Sequence, residues 1–84
     1  GVYCCDLLSW VMAHAQKGYA WITIQTHVNT IAVAVLLELS CIVVADGADV
    51  DAGTLGRANG ENIALLRSQK SSFEVIKQMV HAGL

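Results

Sequence analysis

The apolar residues of this chain change their spacing several times, and each change marks a predicted element. Val2–Cys4 reads as the end of a strand. Asp6 then offers an N-cap, and Leu7, Leu8, Val11, Met12 and Ala15 recur at helical spacing, so a helix is predicted to about Ala15. Lys17-Gly18 closes it, since glycine readily takes the left-handed conformation that ends helices. Residues 19–24, Tyr-Ala-Trp-Ile-Thr-Ile, are β-branched and aromatic and predict a strand. After the turn Gln25-Thr26-His27, residues 28–39 predict a helix that is apolar nearly all round, the mark of burial on more than one side. The continuous apolar run at residues 41–45 suits a central parallel strand covered on both faces.

The second half is more polar. Asp46-Gly47 turns the chain, and Asp51 caps a helix to about Asn59 that Gly53 and Gly56 weaken. Residues 63–66 predict the last strand. Ser71 or Ser72 caps the final helix, with Phe73, Ile76, Met79 and Val80 predicted inside, Glu74, Lys77, Gln78 and His81 outside, and Gly83 at its close. The order βαβαβαβα predicts one α/β domain of βαβ units, a mostly parallel sheet with right-handed crossovers and helices on its faces.

Composition changes this picture in one respect. Of 84 residues, 55% are hydrophobic and only 14% charged, against about 25% charged in an average domain. A chain this short has little interior, so some apolar surface is expected to face a partner chain, a second copy or a neighbouring domain. The net charge of −2, with no run among Lys17, Arg57, Arg67, Lys70 and Lys77, argues against binding nucleic acid. The longest apolar run, residues 31–45, is interrupted by Glu38 and shorter than a membrane span needs. Three cysteines without a C-x-x-C pair exclude zinc-ribbon and thioredoxin chemistry and fit a reducing, cytoplasmic setting.

Candidate chemistry concentrates where ligands bind in open parallel sheets, beyond the carboxyl ends of the strands. Gln25, Thr26 and His27 precede the apolar helix, whose N-terminus suits an anion, and the His27 imidazole is a candidate acid or base. The competing reading is that Thr26 caps the helix and His27 bonds the backbone. Ser71 and Ser72 pose the same choice at the last helix. Asp46, Asp49 and Asp51 do not have the spacing of a calcium loop, and turn and cap roles account for Asp46 and Asp51, so no metal or other cofactor is expected. Trp10, outside the apolar stripe of the first helix and one turn from His14, reads equally as an interface anchor or as a residue covered by a neighbouring segment. No G-x-x-x-x-G-K-[ST], G-x-G-x-x-G or G-x-S-x-G occurs, and Cys5 and Cys41 lack a nucleophile pattern, so no catalytic residue is assigned.

Three stretches carry a family resemblance: residues 1–15, residues 20–27 with the run Trp-Ile-Thr-Ile-Gln-Thr-His at 21–27, and Ser71-Ser-Phe-Glu74. Together they resemble the DRTGG domain, a bacterial family whose fold is similar to the N-terminal domain of HPr kinase/phosphorylase. The resemblance spans essentially the whole chain and departs from the family pattern at Val2, Cys5 and Trp10. It implies a three-layer α/β fold, of which this chain would be the C-terminal three-quarters. It also implies a non-catalytic module that contributes to dimerisation and regulation, with Gln25, Thr26, His27 and Ser72-Phe73 matching the family's positions. The leading expectation is therefore a regulatory or protein-interaction module that self-associates. The alternatives are a sensor for a nucleotide or other anion, binding at Gln25, Thr26, His27, Ser71 and Ser72, and an accessory domain of a phosphotransfer enzyme.

Overall fold

The computed structural model describes residues 1–84. Four strands, β1 (Val2–Cys4), β2 (Ala20–Thr23), β3 (Cys41–Val44) and β4 (Ala64–Arg67), alternate with four helices, α1 (Leu8–His14), α2 (Asn29–Leu37), α3 (Ala52–Gly60) and α4 (Ser72–His81). The sheet is parallel throughout, in the order β1-β2-β3-β4. Each crossover steps one strand in the same direction, so crossovers of a single hand must place α1, α2 and α3 on one face. They do: Val11 of α1, Ile31, Val33 and Ala34 of α2 and Ala58 of α3 share a core with Trp21, Ile42 and Val44. Side chains alternate along a strand, so Ile22, Val43 and Ala45 face the other way and pack on Val75 of α4. The three-layer α/β architecture is thus present, with three helices on one face and one on the other.

The central strand is as predicted, since residues 42–45 are buried on both faces. Four local expectations need correction. Asp6 does not cap α1. Leu7 occupies the cap position and makes no side-chain cap bond, because the Asp6 carboxylate is engaged by β2. Thr26 does not cap α2, whose cap position is Val28. That helix is buried on one side only: Val35 and Leu36 are exposed, because no layer lies above the three-helix row. In α4 the inward residues are Val75, Ile76 and Met79, whereas Phe73 and Val80 are exposed. At 100° per residue, Phe73 lies about 160° round the helix from Val75, so it cannot share that residue's face.

Cap chemistry explains the remaining helices. Asp51 accepts from Thr54 N at 2.7 Å to start α3. Ser71, not Ser72, accepts from Glu74 N at 3.2 Å to start α4. The weak point is α3, which holds glycine at 53 and 56. A methyl group at Gly56 would meet nothing within 4 Å. Gly56→Ala is therefore expected to stabilise the fold by about 0.5–1 kcal/mol, the helix-propensity difference, read as a rise in the urea midpoint at unchanged slope.

Candidate functional site

At the carboxyl ends of β1 and β2, a chain of short hydrogen bonds ties the polar side chains together. The Asp6 carboxylate accepts from the buried Thr23 hydroxyl at 2.7 Å and from Ile24 N at 2.9 Å. The Thr23 oxygen accepts from Gln25 N at 3.0 Å, and Gln25 Oε1 accepts from His27 N at 3.2 Å. His27 Nδ1 accepts from Asn29 N at 3.1 Å, which places the proton of the neutral ring on Nε2. The remaining first-turn donors of α2 are also used: Thr30 N bonds His27 O and Ile31 N bonds Val28 O. The backbone of Thr26 accepts from the Thr54 hydroxyl at 3.1 Å, fastening this loop to α3. So Gln25, Thr26 and His27 do come together, but their loop consumes the donors that an anion on α2 would use.

Ser71 and Ser72 lie at the same end of the sheet on its opposite side, because α4 and α2 pack on opposite faces. Ser72 sits beside Cys4, whose thiol is pushed up by burial first and by the Asp6 charge next, against a hydrogen bond from Ser72. That direction is opposite to the one that creates a reactive thiolate. Across the sheet end, Asp51 is held below the usual carboxylate range chiefly by the hydrogen bond it accepts from the Thr54 backbone N–H. A depressed pKa means that the cap is fully effective above the unfolded value of about 3.9 and is lost as pH falls through the lower folded value. Stability is expected to decline with acid below about pH 4, and Asp51→Asn is expected to remove that part of the slope in urea unfolding at stepped pH.

Neither cavity of the molecule is lined by Gln25, Thr26, His27, Ser71 or Ser72. No group of three or more His, Cys, Asp or Glu side chains is placed to hold a metal ion. One cavity is a groove of about 300 Å³ between α1 and α2, lined by Leu8, Met12, Asn29, Ala32, Val33 and Leu36. Leu8 and Met12, four residues apart, form one wall; Ala32 and Leu36, also four apart, form the other. Leu36 is 66% exposed and Met12 is also open to solvent. Neither helix contains an Asp, Glu, Lys or Arg. The nearest such charges beyond the helices' far ends, Lys17 and Glu38, neutralise each other at 2.9 Å.

Trp10 and His14 are both exposed and stack on one another, with ring centroids 4.2 Å apart and His14 Nδ1 2.9 Å from Trp10 O. They occupy a different flank of α1 from Leu8 and Met12, about 160° away at Trp10, and do not line the groove. The groove residues are absent from the sequence-derived candidates because an all-apolar α2 reads as a buried helix. The legible signal was the pair of i, i+4 apolar walls on two consecutive uncharged helices.

No protein-family model matches this chain, and no curated protein or solved structure matches it.

Proposed function

We propose that this chain is a non-catalytic protein-interaction module whose α1–α2 groove receives apolar side chains of a partner. The observation that carries this reading is α2 itself, a helix with no charged residue that leaves Val35 and Leu36 open to solvent. An exposed apolar groove with uncharged walls is the surface a partner helix or hairpin docks against. The resemblance to the DRTGG domain supports a regulatory role of the same kind. Three free cysteines support a reducing, cytoplasmic setting. No helix is long and apolar enough to cross a membrane.

The test is a displayed peptide library panned against the chain and then against a Met12→Lys, Leu36→Lys variant. Enriched peptides with apolar anchors at helical spacing, at least tenfold weaker on the variant, are expected (about 1.4 kcal/mol). No enrichment, or peptides indifferent to the two lysines, would overturn the reading. A thermal-shift panel of nucleotides and phosphorylated metabolites is expected to be flat, because the α2 donors are internally satisfied.

A further inference from the structure

We propose that Asn59 is a self-modification site, whose side-chain amide is lost to the chain's own backbone and replaced by aspartate or isoaspartate at the end of α3. The inference does not rest on the function proposed for the α1–α2 groove.

The chain holds three asparagines, Asn29, Asn59 and Asn62, followed by threonine, glycine and isoleucine. Only at Asn59 does the next residue lack a Cβ to shield its nitrogen. The Gly60 nitrogen attacks Cγ of Asn59. A new N–C bond closes a succinimide ring, and the bond from Cγ to the side-chain nitrogen breaks. The leaving group carries off the Gly60 proton as ammonia. Water then adds to either ring carbonyl. One opening gives aspartate; the other gives isoaspartate, with the main chain rerouted through the side-chain methylene. Water enters, ammonia leaves, and one negative charge is gained, with no other reactant.

An intact helix forbids this attack. Gly60 N–H must leave its ladder bond to Gly56 O, and Asn59 must leave helical geometry. The structure makes that opening easy here. Asn59 and Gly60 are the last two residues of α3, where helices fray. Glycine stands at 53, 56 and 60 of the same helix, the residue that lowers helix stability most after proline. Both Asn59 and Gly60 are exposed. No atom lies within 4 Å of the Cβ position at Gly60, so no neighbour blocks the approach. The brace across this turn, Arg57 to Glu61 at 3.4 Å, is solvent-exposed and therefore weak.

Asp46-Gly47 offers the internal contrast, since an Asp-Gly pair can close the same ring by losing water. There Gly47 N donates to Ser68 O at 2.8 Å, and the Gln69 side chain lies against Gly47. Freeing that nitrogen means parting the loop after β3 from the loop after β4. Of the two glycine-followed sites, the fold leaves one able to open by fraying alone.

The products strain the turn into β4. Asn62 N donates to Asn59 O at 3.3 Å and Ile63 N to Ala58 O at 3.0 Å. Isoaspartate inserts a methylene into the main chain between these bonds. Aspartate adds a negative charge beside Glu61 at the partially negative end of α3.

The experiment incubates the intact chain at mildly alkaline pH, in native buffer and in urea, and follows each asparagine by peptide mass mapping and isoaspartate-specific methylation. In native buffer Asn59 is expected to convert at a rate within roughly tenfold of that in urea, because fraying ends open at little cost. Asn29, Asn62 and Asp46 are expected to stay intact over the same period. Gly60→Ala, placed in open space, is expected to slow conversion in both conditions. Gly56→Ala is expected to slow it roughly two- to fivefold in native buffer, by stabilising α3, and to leave the rate in urea unchanged. Conversion in urea with Asn59 intact in native buffer would overturn the proposal. So would a Gly60→Ala chain that reacts as fast as wild type, a native rate indifferent to Gly56→Ala, or modification that appears first at Asp46.

Discussion

Trp21→Ala is expected to lower the unfolding free energy by about 3–5 kcal/mol, the range for emptying a large buried aromatic site. Trp21 is fully buried in β2 and touches the core built by α1, α2 and α3. Its indole Nε1 also donates to Cys5 O at 2.8 Å, joining β2 to the segment that leads from β1 into α1. One side chain therefore supplies both the bulk of the helical face and a polar link between two crossovers. A domain of this size has only about 5–15 kcal/mol of stability, so the variant is expected to be partly unfolded at ambient temperature. Trp21→Phe separates the two contributions: it keeps most of the volume but leaves Cys5 O without its donor, at about 1–3 kcal/mol. Urea unfolding followed by circular dichroism reads both, and equal losses for Phe and Ala would refute the packing role.

The second large effect is expected at Asp6. Its carboxylate accepts from the Thr23 hydroxyl and from Ile24 N, and hydrogen bonds to a charged group contribute about 1.5–3 kcal/mol. Thr23 is completely buried, so Asp6→Ala strands its hydroxyl proton at the end of β2. A loss of about 2–3 kcal/mol is expected, together with faster amide exchange at Ile24 and Gln25. Asp6→Asn keeps an accepting oxygen without the charge and is expected to recover about half. An alanine variant as stable as wild type would show that the bond chain from Asp6 to Asn29 does not organise this loop.

The alternation of strands and helices was legible because the period of the apolar residues switches at each of the seven junctions between the eight elements. The central place of residues 41–45 followed from their unbroken apolar run. What the pattern could not supply was the distribution of helices between faces. An all-apolar α2 predicts burial on several sides, yet Leu36 stands in solvent because strand order, a long-range property, lined up three crossovers on one face. Asp6 misled for a related reason. Its cap-like position before α1 is local, whereas its partner Thr23 is seventeen residues away. Ser71 and Asp51, whose partners lie three residues on, were readable as caps. The loop residues Gln25, Thr26 and His27 were found together as expected, but their use of one another as hydrogen-bond partners is a matter of geometry.

The most direct test of whether function resides in the helical groove or at the strand ends is a map of backbone amide shifts on the labelled chain. Two probes are titrated separately: isopropanol as a small apolar group, and inorganic phosphate as an anion. Saturable shifts at Leu8, Met12, Ala32 and Leu36 with isopropanol, and none at Gln25, Thr26, His27, Ser71 or Ser72 with phosphate, are the expected result. Saturable phosphate shifts at those five residues, with the groove silent to isopropanol, would contradict it and return the strand ends to the centre of this protein's function.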